Sequence, residues 1–249
     1  MSALTLAGVI FVMTLGGISL GTLLRRTLPS HHLNDQAKDV VRDCVRLIAT
    51  IAALVLGLLI GAARGSFDTQ STQVKQITAN LILLDSILAQ YGSEALPIRG
   101  HMRMAIGPFA DRLWREKEMT AIVPFEANPA EEQVFSDIQK LSPRNDVQRS
   151  LQSRAVQISN DIAQARFMLF TETENLIPIP FLAILAFWLV IVFASYSLFS
   201  PLNATLFTCL SVFAFSAASA IYLVLELSRP FTGLMMLSSV PLRNALGAI

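Results

Sequence analysis

The feature that most constrains this chain is a long stretch without charge: no Asp, Glu, Lys or Arg occurs between Asn175 and Leu225. A helix needs about 20 apolar residues to cross a bilayer core about 30 Å thick. The charge-free stretch is long enough for two such helices, and Pro201 interrupts it near its middle. We therefore predict two membrane spans, residues 177–199 and 203–225, joined as a hairpin by a tight turn.

Two further apolar segments lie near the N-terminus. The first, residues 3–24, ends at a pair of arginines, and the second, residues 47–63, lies between Arg46 and Arg64. The first segment is preceded by no basic residue and is longer than the apolar part of a signal peptide, so we expect it to be a retained membrane anchor. The sequence thus predicts four spans, arranged as two plus two.

The charged residues are concentrated between the second and third spans. Residues 65–176 carry 25 of the 37 Asp, Glu, Lys and Arg side chains, although only 15% of the whole chain is charged. Soluble domains average about 25%. We predict an all-α protein with four transmembrane helices and one extramembrane insert. The predicted divisions are residues 1–64 for the first transmembrane pair, 65–176 for the insert, 177–225 for the second transmembrane hairpin and 226–249 for an interfacial C-terminal tail.

Helical periodicity dominates the insert. Apolar residues alternate three and four positions apart from Val74 to Tyr91 and again from Val147 to Leu169, a coiled-coil-like spacing. The first stripe follows the second span and the other precedes the third span, so we expect long helices that continue out of the membrane. The two stripes form either the core of a bundle within one chain or a bundle between subunits.

Small residues recur every four positions in two of the predicted spans. Such stripes allow helix backbones to approach closely in lipid, where no hydrophobic force drives helices together. They either pack the spans of one chain together or line the central axis of an oligomer. The candidate pore-lining or helix-packing residues are Ala49, Ala53, Gly57 and Gly61 in the second span, and Gly17 and Gly21 in the first.

The fourth span ends in a distinctive stretch that contains charge, a proline and a glycine. Glu226 and Arg229 have a spacing that permits an ion pair, whereas a ring of Glu226 carboxylates at a pore mouth would select cations. The amphipathic segment that follows predicts a chain that turns sharply and lies at the membrane interface. The candidate pore-mouth or signature residues are Glu226, Arg229, Pro230, Phe231 and Gly233.

The sequence gives little support for other kinds of chemistry. His31 and His32 precede several acidic residues, but a closed metal site needs three or four converging ligands, so they are weak candidates. No nucleotide-binding, hydrolase or metalloprotease motif occurs, and we expect neither an enzyme nor a cofactor. A net charge of +1 is too small for a nucleic-acid-binding surface.

Several weak motifs follow one another along almost the whole chain. They are Phe67-Asp68, Leu84-Asp85, Leu88, Tyr91-Gly92, Arg99, Ile177-Pro178, Pro180, Phe187-Trp188, Glu226-Leu227-Ser228-Arg229-Pro230-Phe231-Thr232-Gly233 and Ser238-Ser239-Val240-Pro241-Leu242. Their order resembles a family of bacterial integral membrane proteins of unassigned function that is called bestrophin-like. Ser228 departs from the acidic residue that the family pattern has before the Pro-Phe-x-Gly step.

This resemblance implies an oligomeric ion channel that conducts anions rather than cations, because bestrophins are pentameric anion channels. It also implies a cytoplasmic insert. The positive-inside rule slightly favours the opposite side, since residues 25–46 are rich in Lys and Arg whereas Met1-Ser2 has none. Both orientations stay open.

From these observations we predict a homo-oligomeric channel in the cell (inner) membrane, with the pore lined by the second span. Its expected partners are the lipid bilayer, further copies of the chain and small inorganic ions. The alternative is a non-conducting membrane scaffold or sensor whose helical insert binds a partner.

Overall fold

A computed structural model describes residues 2–29, 35–115, 129–172, 179–200 and 203–248. These residues are almost entirely helical and contain no strand, which confirms the all-α prediction. The short 3-10 turn Ser93–Ala95 separates the second helix from the third. The α-helices are α1 (Ala3–Thr27), α2 (Asp35–Tyr91), α3 (Leu96–Arg115), α4 (Pro129–Lys140), α5 (Asp146–Glu172), α6 (Ile179–Phe199), α7 (Ala204–Leu227) and α8 (Val240–Ala248).

The four predicted spans are confirmed: α1, α2, α6 and α7 are long and apolar enough to cross a membrane.

The ends of α1 follow the rules for helix termini. The Ser2 hydroxyl accepts a hydrogen bond from the Thr5 N–H at 3.1 Å, and Arg25 and Arg26 in the last turn interact favourably with the negative end of the helix dipole.

The second span belongs to a single helix of 57 residues. It begins at Asp35, earlier than the expected start at Leu47, and it continues through Gly65 without a break. Ion pairs between Asp39 and Arg42 and between Asp43 and Arg46, both at 3.2 Å, stabilise its first turns. The matching junction between α5 and α6 includes residues 173–178, which lie outside the described residues.

The chain divides into two compact units, of which the first comprises Met1–Gly65 and Leu176–Ser228. In this membrane unit, α1 packs closely against α6 at its glycines. A Cβ atom on Gly17 would lie 2.9 Å from the Val190 carbonyl oxygen, and one on Gly21 would collide with the backbone of Ala194. The two glycines therefore permit this close approach.

The second unit comprises Ser66–Asn175 and Arg229–Ile249. In this insert unit, the stripe of α2 packs with apolar residues of α3, α4 and α5, so the predicted stripes form a core within one chain, except that Val147 at the start of the α5 stripe is exposed. The side-chain amide of Gln152 on α5 donates hydrogen bonds to the Ile138 and Leu141 carbonyl oxygens at 3.0 and 2.8 Å. These bonds satisfy carbonyl groups at the end of α4 that have no partner within that helix.

We expect Gly17→Ala to lower the thermal stability of the purified protein in detergent. Overpacking of a tight contact costs about 1–3 kcal/mol, because α1 and α6 must move apart. Gly16→Ala is the matched control, since a Cβ at Gly16 meets no atom within 4 Å. Equal melting temperatures for the two variants, measured by intrinsic fluorescence, would contradict the contact.

Candidate functional site

The second span differs from the other three in how little of it the chain itself covers. In its most apolar stretch only 11% of the residues are buried, against 33% in α1, 28% in α6 and 33% in α7. Ala52 packs in an apolar cluster of the membrane unit, whereas Leu54 and Leu58 are 65% and 74% exposed. One face of this span therefore contacts the chain, and the described residues leave the opposite face uncovered.

The small residues predicted to line a pore lie largely on that uncovered side. Ala53, Gly57 and Gly61 are exposed, Ala49 is half-buried, and Cβ atoms added at the two glycines would meet nothing within 4 Å. The small residues of α1 have other surroundings, because Gly17 and Gly21 lie against α6. Two similar sequence stripes thus have different surroundings.

Glu226 lies at the end of α7 and is only 5% exposed within the membrane unit. Tyr222, one turn earlier on the same helix, interacts with its carboxyl group. Arg229 is half-buried and begins the C-terminal segment of the insert unit. An ion pair of Glu226 with Arg229, and a ring of Glu226 at a pore mouth, stay predictions.

The Pro-Phe-x-Gly step is a folded turn of the insert unit. Pro230 is buried, and its carbonyl oxygen accepts a hydrogen bond from the Leu237 N–H at 2.6 Å. Gly233 has φ 98°, a conformation that L-residues with a side chain rarely adopt. The Phe231 ring meets the Trp114 ring edge to face, with centroids 5.7 Å apart. The step therefore shapes the turn that returns the chain to α3.

Helix α3 contacts the C-terminal segment at several residues. The indole N–H of Trp114 donates a 2.8 Å hydrogen bond to the Leu237 carbonyl oxygen, and Leu242 of α8 is buried in the insert core. Arg243 adds an exposed ion pair with Asp111 at 3.2 Å. The observed contacts of this segment are thus with the insert helices, and its predicted position at the membrane interface stays a prediction.

A buried ion pair joins α2 to α3. The Arg99 guanidinium donates two hydrogen bonds to Asp85, from Nε to Oδ1 at 2.6 Å and from Nη2 to Oδ2 at 2.8 Å. The two side chains are only 23% and 10% exposed. The hydrogen bond to Asp85 raises the pKa of Arg99, despite an opposing effect of burial. This parallel, bidentate geometry fixes both the distance and the orientation between the two helices.

The end of α2 depends on Tyr91 and Gly92. Gly92 has φ 124°, which favours glycine and ends the helix. Burial, followed by the charge of Glu94, raises the pKa of the Tyr91 phenol. The side-chain amide of Gln148 donates to the Tyr91 carbonyl oxygen at 3.0 Å. The turn into α3 is thus tied to α5.

The histidines do not form a metal centre in the part of the chain that the structure describes. His31 and His32 lie outside the described residues. His101 Nδ1 lies 2.9 Å from Asp137 Oδ2 and joins α3 to α4. No group of three or more His, Cys, Asp or Glu side chains suited to a metal occurs among the described residues.

These features define a multi-pass α-helical membrane protein with a helical insert between two pairs of spans. A family model for the bestrophin-like domain matches residues 12–242, and the chain belongs to the bestrophin-like family. At a coarse level the family indicates a membrane ion channel rather than an enzyme. Comparison with curated proteins and with solved structures found no match.

Sequence reasoning missed the importance of Trp114. Its partners Phe231 and Leu237 lie more than a hundred positions away, and no periodic pattern connects such distant segments. Asp85 and Arg99 were part of the family resemblance, but only the structure assigns them a role. The one sign of this role in the sequence was the position of Asp85, an acidic residue on an otherwise apolar helix face.

We expect Arg99→Met to destabilise the protein by about 3–5 kcal/mol, because it leaves the Asp85 carboxylate buried without its cation. Arg243→Met is the matched control and should cost at most about 1 kcal/mol, since the pair with Asp111 is exposed. Thermal unfolding in detergent measures both. The double variant Asp85→Leu with Arg99→Met should recover most of the loss, and failure to recover would contradict the account.

Proposed function

We propose that this protein is a homo-oligomeric ion channel whose pore is lined by the second span, within α2, and that it conducts anions. The observation that carries the proposal is the uncovered face of α2, where small residues alternate with exposed leucines. Membership of the bestrophin-like family supports the same function at a coarse level.

Small residues suit a helix that packs against further copies of itself. Ala53, Gly57 and Gly61 leave the backbone accessible over three turns, and Cβ atoms added at the two glycines would meet none of the described residues within 4 Å. Close backbone approach is the main source of helix association in lipid, where leucines gain nothing from leaving an equally apolar solvent. In a symmetric homo-oligomer, the partner at each such face would be another copy of the same chain.

A neighbouring row on the same uncovered side carries the large apolar side chains that a constriction would need. Ile51, Leu54 and Leu58 follow one another at four-, three- and four-residue steps from Leu47, and all four are exposed. A ring of such side chains forms a hydrophobic constriction that conducts when it is wet and closes when it dries. The described residues of this span contain no phenylalanine, so an aromatic gate is not proposed here.

Two arginines support the preference for anions. Arg46 and Arg64 are exposed at the two ends of the apolar stretch, and the stretch between them carries no charge. Rings of arginine raise the local concentration of anions at a pore entrance. Arg46 forms an ion pair with Asp43 at 3.2 Å, which reduces the attraction of Arg46 for anions.

We expect purified protein in liposomes to carry a chloride flux, and Leu58→Ala to increase it severalfold because a smaller side chain widens the constriction. Leu4→Ala is the control, since Leu4 on α1 is similarly exposed at 71%. A chloride-sensitive dye measures the flux over a range of pH and voltage. Absence of flux under all conditions would reject conduction and favour a non-conducting scaffold.

We expect Gly57→Leu to convert the oligomer into monomers without lowering the stability of the monomer, because a Cβ at this position meets no atom within 4 Å. Light scattering of the protein in detergent gives the mass, and thermal unfolding gives the stability. Gly8→Leu on α1 is the control, since its Cβ also meets no atom within 4 Å. An unchanged mass for Gly57→Leu would place the subunit contact elsewhere.

A further inference from the structure

The insert unit contains a cavity of about 330 Å³ among α2, α3, α4 and α5. This volume is at the lower end of the range of sites that hold small organic molecules. Most of its wall is apolar and includes Ile77 and Leu84 of α2, Ile106 and Phe109 of α3, and Val134 of α4. Water gains few hydrogen bonds in such a space, so a ligand with an apolar body would displace it at little cost.

The cavity has polar side chains mainly on its α5 wall. Ser159, Asn160 and Arg166 line it there, and Glu132 lines it from α4. The Arg166 guanidinium lies over the Phe109 ring, 5.1 Å from its centre, and its Nε atom is buried. The Glu132 side chain is exposed, so water screens its charge more than that of the half-buried arginine.

We propose that this cavity binds a small amphiphilic monocarboxylate, with its apolar chain between α2 and α3 and its carboxylate at Arg166. A guanidinium has five N–H donors in a planar fork that matches the two oxygens of a carboxylate. Its stacking on Phe109 holds the fork in place and lowers the entropy cost of binding. Ser159 and Asn160 supply further hydrogen-bond donors on the same wall. This site does not depend on whether the protein conducts ions.

The proposed site predicts a defined dependence on ligand length. Each methylene group that enters the apolar part should tighten binding by about fourfold, which corresponds to about 0.8 kcal/mol. The gain should stop when the chain fills the cavity, whereas partition into the bilayer would continue to rise with length. Loss of the charged hydrogen bonds should weaken carboxylate binding on the order of tenfold to a hundredfold.

The experiment uses the full-length protein in lipid nanodiscs and octanoate that carries a photoreactive diazirine. Irradiation attaches the probe where it binds, and peptide mass spectrometry identifies the attachment site. Unlabelled hexanoate, octanoate, decanoate, octanol and octyl phosphate compete with the probe. We expect saturable labelling of α3 and of the part of α2 that lies in the insert unit, because the apolar chain that carries the diazirine lies between these helices. Octanoate should compete more strongly than octanol.

Two variants test the site itself. Ala163→Phe should abolish the labelling of the insert, because Ala163 lines the cavity and the larger ring fills the space. Since Ala163 is exposed, the ring can do so without displacing buried neighbours. Gln157→Phe, at an exposed position on the same helix that does not line the cavity, should leave labelling unchanged. Arg166→Gln should weaken competition by octanoate and leave competition by octanol unchanged, which separates loss of the head-group contact from loss of the fold.

Three results would overturn the proposal. Labelling confined to the membrane spans would identify the probe as a bilayer solute. Labelling of the insert that persists in Ala163→Phe would place the ligand outside this cavity. Stronger competition by octyl phosphate than by octanoate would replace the carboxylate with a phosphate head group. None of these results bears on chloride flux, so the binding site and the channel can fail separately.

Discussion

The structure depends first on the need of a peptide backbone in lipid to satisfy its own hydrogen bonds. Lipid offers no water to an unpaired N–H or C=O group, so each span must be a complete helix. Several side-chain hydroxyl groups in the spans also bond within their own helix. Thr14, Ser197 and Thr208 each donate to a carbonyl oxygen three or four residues earlier in their own helix. Such internal pairing leaves helix association to depend on shape and close packing.

Shape explains why glycines in this chain have two different roles. In α1, Gly17 and Gly21 let the helix approach the backbone of α6. In α2, Gly57 and Gly61 lie on a face that the described residues do not cover. The first pair stabilises the single chain, and the second pair leaves a surface for association. Close packing gains energy wherever two helices present matching surfaces, whether they belong to one chain or to two.

Several of the motifs behind the family resemblance come together in the insert unit. Asp85 and Arg99 join α2 to α3, Gly92 forms the turn between them, and Phe231 and Leu242 return to the same core. These residues hold four helices and the C-terminal segment in one arrangement. These contacts stabilise the fold of the insert unit. They explain the positions of these residues without a role at a pore mouth. The function of this insert as a site for a small ligand is a separate property of its cavity.

The sequence by itself determined which parts of the chain lie in lipid, the number of spans and the helical nature of the insert. Hydrophobicity and periodicity are local properties, and they respond directly to the solvent around each helix. Local patterns also placed the buried stripe from Val74 to Tyr91 correctly, although the helix that contains it begins at Asp35, earlier than expected. The division of residues 1–64, 65–176, 177–225 and 226–249 into functional regions remains a prediction.

Only the tertiary structure decided which surfaces meet. The stripes of Gly17 and Gly57 look alike in sequence, and Trp114 gives no sign that it will hold Leu237. Contacts between distant segments depend on the shapes that several helices present together, and a periodic pattern specifies one face without specifying its partner. For the same reason the cavity beside Arg166 was invisible in the sequence: it is a space that exists only after four helices have packed.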